Sequence, residues 1–518
     1  MAMTMGGGGG GGAGSNQSYT AIVAQSGTAS TGYYVCDGAN DQVQIQAAID
    51  YATTKGGGVV LIKAGTYDIQ ATIAMNNDSN VQLVGEGVGT ILNGNFNVSS
   101  HKHITGGELD CCVLLLGSDG DTDSYFHADH VKHVRVADLK IDCNGSIGNH
   151  IEGIRCSHLD YSVIERVYVV DSGDSCVVID DYCAEVTVRN CIITGSGQSD
   201  DSVSIPSNGI GCGGTRYIKI LDNFVYDCGH DNTNGNGNKG SGIEIDGGTN
   251  DPPVNHYYII RGNHFYSNHD TGIYLYGLAD SIIEGNYCYY NYNHGINLED
   301  GDSHNHHNDD LRIIGNALYG NQNGAGILAE NADHIWVDDN DIYDNGTYGI
   351  DFGATACNDW FIGTGNKIEG NSSGNVEVAS GTLIWSHMEV INFCTTTSMD
   401  TGNVHYHLLR GGAAGSTTRA SKAILMAKRG FIKNLYFKTS QAPDNGAGAQ
   451  SFTVALEDDG VNTALTCAIS EAATDANDLV NSPEFAAGSL LNWEITPANT
   501  PAGSTYGYIY AELYILDW

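Results

Sequence analysis

From about residue 131 onward the chain restates one pattern, with coils beginning near Val131, Tyr161, Glu185, Tyr217, Tyr257, Ser281, Asp310, His334 and Asp359. Each coil opens on a short β run such as Tyr217-Ile-Lys-Ile-Leu221 or His334-Ile-Trp-Val337. An Asn- or Asp-rich turn follows, then an aromatic strand, then a strand that begins Gly-Ile. Differences in coil length fall in Gly-, Asn- and Asp-rich loops. A fixed template with loop insertions specifies a solenoid. One coil cannot bury its own apolar face, so coils must stack, at about 4.8 Å per rung. Asn and Asp at equivalent turns are then expected to form ladders along the stack.

The segment before the array reads as its cap. Asp41 is placed as the N-cap of a helix over about 41–54, with Ile45, Ala48, Ile49 and Ala52 on one apolar face. Gly56 to Gly58 stop it, Val59 to Ile62 form a β run, and Val81 to Leu92 continue the strands. The pieces Ile45-Gln-Ala-Ala-Ile-Asp50, Gly56-Gly-Gly-Val-Val-Leu-Ile-Lys-Ala-Gly-Thr-Tyr-Asp-Ile69 and Val81-Gln-Leu-Val-Gly-Glu-Gly-Val-Gly-Thr-Ile-Leu92 resemble the pectate-lyase-like superfamily of right-handed parallel β-helices. The resemblance implies an all-β solenoid over residues 17–386 and says little about activity.

After Ile384-Trp385 the Asn-rich turns vanish and Thr and Ala rise. Alternating runs such as Gly430–Lys438, Ser451–Leu456, Ala464–Ile469 and Ser504–Leu516 predict an antiparallel β-sandwich of the jelly-roll type over 387–518. Their order resembles small modules on phage and archaeal-virus virion proteins. Such modules often trimerise or bind a receptor. Residues 1–16, with Gly6 to Gly12 in one run, read as a linker or as an arm that anchors the chain to other virion proteins.

Composition narrows the partners. Acidic residues number 61 and basic residues 22, for a formal net charge of −39. That excludes nucleic-acid binding, which needs Lys and Arg on phosphates, and docking on an anionic bilayer. No apolar run is long enough to insert in a membrane. The 14 cysteines are scattered without a C-x-x-C pair, so they read as buried free thiols of a chain folded in a reducing cytosol. No Lys or Arg precedes Lys55, and no secretion signal is read.

Aligning the coils on Gly-Ile sets Gly242-Ile-Glu-Ile-Asp246, Gly272-Ile-Tyr-Leu-Tyr276, Gly295-Ile-Asn-Leu-Glu299, Gly326-Ile-Leu-Ala-Glu330 and Gly349-Ile-Asp-Phe-Gly353 side by side. Strand side chains alternate, so Ile243, Leu275 and Leu298 are expected inside. Two outward columns result: Glu244, Tyr274, Asn297, Leu328 and Asp351, and Asp246, Tyr276, Glu299 and Glu330. Earlier coils add Arg155 and Asp180. Tyrosines pack on sugar C–H faces and carboxylates bind sugar hydroxyls. A carboxylate pair is also what glycoside hydrolysis requires, about 5–5.5 Å apart for retention and about 6.5–9.5 Å for inversion. Glu299, Glu330 and Asp246 are therefore the catalytic candidates. Glu244, Tyr274, Tyr276, Asn297, Asp351, Arg155 and Asp180 are the carbohydrate-binding candidates. A lyase is disfavoured, because Arg155 is the only base in the columns and a chain this acidic repels a polyanion unless a metal bridges them.

The segment after Glu299 is dense in donors, and Asp300, Asp302, His304, His306 and His307 could hold a transition metal, or Ca²⁺ through the carboxylates. None of the chemistries considered requires a cofactor. The reading that reconciles these features is a virion appendage, a homotrimeric tailspike, tail fibre or capsid spike made in the cytosol and displayed outside. It would bind a host-surface glycan and could cleave it. A secreted polysaccharide hydrolase or lyase, and a non-enzymatic surface adhesin, are the alternatives.

Overall fold

A computed structural model describes residues 19–98, 112–117, 125, 127–146, 149–198, 207–229, 240–246, 255–299, 308–330, 332–353, 357, 360–363, 365–378, 384–385, 387–395, 405–407, 411–413, 424–425, 430–440, 442–443, 450–470, 472–486, 489–499 and 507–515. The chain divides into two compact units. One holds residues up to 335 with 340–357 and 367–380, and the other holds 336–339, 358–366 and 381–518. The N-terminal Gly run lies outside the described residues.

The first unit is a right-handed parallel β-helix. The one helix among its described residues spans Gln42–Thr54 and buries Ile45, Ala48, Ile49 and Ala52 against the first strands. Asp41 sits at the N-cap position but makes no side-chain cap hydrogen bond. Its buried carboxylate instead accepts from the backbone N–H groups of Gly38 and Asp68, each at 3.0 Å, and from Gln25 Nε2 at 3.3 Å. It fastens the helix entry to the neighbouring strands. The capping role read from sequence is thus replaced by a tertiary one.

Each coil contributes short strands to separate parallel sheets. In one coil these are Ile282–Glu284, Tyr287–Tyr289, Ile296–Leu298 and Asn308–Asp309. Every one pairs in parallel with its counterpart in the next coil. The sheet built from the Gly-Ile strands has 11 members, running from Ile73–Met75 to Gly374–Val378. Its inward positions, including Ile243, Ile245, Ile273, Leu275, Ile296, Leu298, Ile327 and Ile350, are fully buried.

Why Gly precedes Ile in coil after coil follows from packing. A Cβ at Gly272 would lie 2.7 Å from Gly295 O and 3.0 Å from Asn291 Nδ2. Gly242, Gly295, Gly326 and Gly349 meet the same obstruction from the next rung, at 2.6–2.7 Å. The amide nitrogen it would also crowd belongs to a second repeating feature, an asparagine ladder. Asn268, Asn291, Asn321, Asn345 and Asn371 form one ladder, each Nδ2 donating to the next Oδ1 at 2.8–3.0 Å. Asn223, Asn263, Asn286, Asn316 and Asn340 form another at 2.9–3.0 Å. Each side chain also closes onto strand carbonyls and accepts from the main chain of the coil below, so the polar groups at the bends are satisfied out of water. The outer side carries stacked rings. Tyr226, Tyr266, Tyr289, Tyr319 and Tyr343 stand 4.8–5.1 Å apart with nearly parallel planes.

A third column sets the coil boundary. Six of the nine coil starts read from sequence, Tyr161, Glu185, Tyr217, Tyr257, Asp310 and His334, adopt left-handed backbone at φ 50–63°; near Val131 and Ser281 that conformation falls instead on His133 and Asp280, and Asp359 lies outside the described residues. That conformation is costly for Tyr. Ring stacking offsets the cost where Tyr217 meets Tyr257 at 4.8 Å.

The second unit contains two mainly antiparallel sheets. One runs Gly411–Ala413, His387–Thr395, Gly507–Ile515, Gly430–Thr439 and Asp475–Asp478, and the other His405–His407, Leu490–Ala498, Ser451–Asp458 and Val461–Ser470. Ile432, Leu435, Phe437 and Ile509 from the first pack with Phe452, Val454, Leu465 and Trp493 from the second in one apolar core. The sandwich predicted from alternation is present.

Two outcomes test this account. Asn291→Ala removes a ladder member and strands buried partners on both sides, so it is expected to cost about 2–4 kcal/mol. The exposed Asn323→Ala should stay within about 0.5 kcal/mol, both read by denaturant midpoint. The 12 cysteines whose side chains are described are buried and form no disulfide. A thiol reagent should therefore titrate at most Cys111 and Cys394 in the native chain and all 14 thiols after denaturation.

Candidate functional site

The two outward columns of the Gly-Ile sheet form in the register expected. Glu244 pairs with Tyr274, Tyr274 with Asn297, Asn297 with Leu328, and Leu328 with Asp351. Asp246 pairs with Tyr276. Glu299 N–H donates to Leu275 O and Glu330 N–H to Leu298 O, which carries the second column upward one rung at a time. Successive members therefore lie about 4.8 Å apart. Asp246 is exposed, while Glu244, Tyr274, Tyr276, Glu299, Glu330 and Asp351 are half-buried with one side open to solvent.

Two candidates are corrected. Arg155 is 1 % exposed, and its guanidinium is bound by Glu152 at 2.8 and 3.1 Å and by Asp180 at 2.7 Å. It holds Asp180 in place from behind and does not present itself to a sugar. Asn297 is 5 % exposed, and its Nδ2 donates to Glu299 Oε2 at 2.9 Å. Its Oδ1 has no hydrogen-bond partner among the described residues. The loop donors Asp300, Asp302, His304, His306 and His307 lie outside the described residues.

The structure adds a feature that the alignment stopped short of. The coil Ile210–Gly213 pairs Gly211 with Glu244 and Gly213 with Asp246, and below it Val178 pairs with Gly211. Both outward positions of this rung lack side chains. The result is a notch in the face, walled by Asp180 on one side and by Glu244 and Asp246 on the other. A Cβ at Gly213 would come within 2.9 Å of Asp180 Oδ1, so the glycine leaves that carboxylate its place. The signal was legible in Gly209-Ile-Gly-Cys-Gly213, which fits the same Gly-Ile template.

Charge is concentrated here. Burial pushes Asp180 up to about 7; Arg155 opposes the shift, and Asp181, Glu152 and Asp246 add to it. Burial also pushes Glu244 up to about 7, against the hydrogen bond from Asn208 Nδ2 at 2.7 Å and with the repulsion of Asp246 and Asp270. Asp351 is raised by burial and by Glu377 beside it. The Tyr274 hydroxyl is raised well above its ordinary range by burial and by Glu299 and Glu244. Carboxyl groups that exchange protons near neutrality are suited to general acid–base work.

Beyond Asp180 the chain places further polar side chains that sequence reasoning missed. Ser157, the register partner of Asp180, lies 3.0 Å from His158 Nδ1 and donates to Asp181 Oδ2 at 3.3 Å. The His158 ring packs on Tyr182 at 5.9 Å and edge-on against His130 at 5.2 Å. His130 Nδ1 is 3.1 Å from the buried Asp160. His158, Asp181 and Tyr182 follow the strands, past the Gly-Ile segment on which the coils were aligned.

Comparison with known proteins agrees on the fold. The family described as the right-handed β-helix region matches residues 208–398. Mannuronan C5-epimerase AlgE3 of Azotobacter vinelandii is 25 % identical over 260 residues, which cover 46 % of this chain and 13 % of that protein. The AlgE6 A-module of the same organism, a mannuronan C-5 epimerase, superposes with a TM-score of 0.47 at 19 % identity, covering 67 % of this chain and 96 % of the module. The Dettilon tailspike protein superposes with a TM-score of 0.46 at 14 % identity, covering 95 % of this chain and 94 % of that one.

The raised carboxyls predict a pH dependence with a definite sign. A group whose pKa is higher folded than unfolded takes up protons on folding, so its ionisation opposes the fold. Stability should fall as pH rises from about 4.5 through 7, and Glu244→Gln should flatten that slope. Thermal melts across pH 4–8 read it. A variant with the wild-type slope would remove Glu244 as its cause.

Proposed function

We propose that this chain is a virion appendage whose β-helix binds a host-surface polysaccharide along the outer face of the Gly-Ile sheet and hydrolyses it at the Gly211/Gly213 notch. The observation that supports this best is the side-chain-less rung between Asp180 and Asp246. The two residues stand two rungs apart, about 9.6 Å along the stack, just above the separation that inverting glycosidases use, and the Asp180 carboxylate leans over Gly213 between them. Gly211, where a side chain would meet only Ser175 Oγ at 3.8 Å, leaves room for a sugar and a water.

In this reading Asp180, protonated in part at neutral pH and held by Arg155, donates a proton to the glycosidic oxygen. Asp246, exposed and unencumbered by burial, accepts one from the attacking water. Tyr274 and Tyr276 pack on the neighbouring sugar. Glu299 and Glu330, one rung apart at about 5 Å, extend the subsites upward, with the retaining pair of carboxylates as the competing assignment. Buried free thiols suit a protein assembled in a reducing compartment and then displayed outside. The reading includes a homotrimer, with a solution mass near three times 54.9 kDa.

A second reading is favoured by one observation. His158 follows Ser157 one rung below Asp180 and packs on Tyr182, which follows Asp180 itself, and the curated relative is an epimerase of mannuronan. Proton exchange at a uronic-acid carbon α to its carboxylate would use such groups.

A panel of neutral and uronic-acid polysaccharides separates the two. Hydrolysis predicts new reducing ends, a fall of about 10²–10⁴ in rate for Asp180→Asn or Asp246→Asn, and about tenfold weaker binding for Tyr276→Ala. Solvent deuterium entering intact polymer, abolished by His158→Gln, would instead support proton exchange. Full turnover by Asp180→Asn and Asp246→Asn together would defeat the notch as the hydrolytic site.

A further inference from the structure

Away from the Gly-Ile face, a short parallel ladder closes each coil. It contains Asn255–His256, Leu278–Ala279, Asn308–Asp309 and Ala332–Asp333. The residue after each strand takes the left-handed turn: Tyr257, Asp280, Asp310 and His334. Two columns thus run side by side at the coil edge, and in the upper rungs both carry metal-ligating side chains.

There His334 reaches down one rung, and its Nδ1 stands 2.7 Å from Asp309 Oδ1. Asp310 completes the group. One donor atom from each of the three lies within 4.8 Å of the others. An imidazole–carboxylate pair is a satisfied unit by itself. Bringing a second carboxylate into the same space adds repulsion, which a cation among the three would reverse. The two carboxylates arrive from adjacent residues of one coil and the imidazole from the next, so a bound ion would tie two rungs together.

We propose that Asp309, Asp310 and His334 form a binding site for a divalent first-row transition ion, with Zn²⁺ as the probe. The donor set decides the class. One imidazole with two carboxylates suits Zn²⁺ and its neighbours, whereas Ca²⁺ and Mg²⁺ take oxygen donors alone. Binding displaces the proton that neutral His334 would share with Asp309, and the positions left open on the ion go to water. Asp309 and His334 have side-chain exposures of 43 % and 54 %, so the site is reachable from solvent.

The placement suggests what the ion does. Asn308, next to Asp309, donates to Leu275 O at 3.1 Å and to Glu299 O at 3.2 Å. It anchors the point where the chain returns after Glu299. A cation at Asp309 and Asp310 would fix that return to the following coil. This assignment does not depend on the polysaccharide reading.

The test is competition for Zn²⁺ between the full chain and a chromophoric chelator, with Co²⁺ absorption as a second readout. One tight equivalent is expected, weakened at least tenfold in His334→Ala and in Asp309→Asn. A hundredfold excess of Ca²⁺ should not displace it. Zn²⁺ should raise the melting temperature of the wild type but not of His334→Ala, and the two proteins should melt alike in chelator, since all three side chains are at the surface. The other histidines are the same in every variant, so binding through them would be unchanged. Equal affinity and stoichiometry in wild type, His334→Ala and Asp309→Asn would overturn the assignment, as would displacement by Ca²⁺.

Discussion

Everything in the β-helix depends on coils stacking in exact register at one strand spacing. Parallel ladders alone permit slippage, because a main-chain hydrogen bond does not distinguish one residue from the next. The asparagine ladders remove that freedom. Each amide donates up the stack and to a strand carbonyl of the coil below, and its oxygen accepts from that coil's side chain and main chain. A shift of one residue would bury these amides unpaired, at about 1–3 kcal/mol for each lost partner. The Gly-Ile strand is slaved to the same ladder. Its glycine is small because the next rung's carbonyl and an asparagine amide occupy the space a side chain would need.

Register of this quality turns a sequence repeat into a functional surface. Because each rung repeats the last, a residue's outward column and height follow from its place in the coil. Asp246, Tyr276, Glu299 and Glu330 become a stripe for that reason, and the same logic gives the metal-ligating edge its two columns. The notch is the local exception. One coil spends both outward positions on glycine, and the regular face gains a recess flanked by carboxyls that titrate near neutrality. Like charges gathered on a partly buried surface oppose folding, so their presence is carried by the stability of the ladders around them.

Legibility in the sequence followed periodicity. The coil starts at Tyr161, Glu185, Tyr217, Tyr257, Asp310 and His334 coincide with the left-handed column, and the inward Ile and Leu positions are buried. The failures were at singular positions. Asp41 looks like a helix cap because Asp before an apolar-periodic run usually is one. Here Gln25 and Asp68, on two neighbouring strands, donate to it instead. Arg155 was placed on a column correctly, yet whether it faces water depends on Glu152 three residues away and Asp180 one rung up, both of which pull it inside. The histidine group around His158 and the return of His334 onto Asp309 link residues past the Gly-Ile segment on which the coils were aligned.

What this sequence determined by itself is the repeating part: a solenoid, its capping helix, the face that carries Asp246, Tyr276, Glu299 and Glu330, and a separate β-sandwich. Periodic patterns encode these because hydrophobic alternation and turn chemistry are local, and stacking copies the local answer from rung to rung. Only the tertiary structure decided which of the outward groups are buried, which carboxyls are pushed toward neutrality, and where donors from different coils converge. Those outcomes depend on desolvation and on distances between side chains from different rungs, and neither quantity is written in the spacing of residues along one strand.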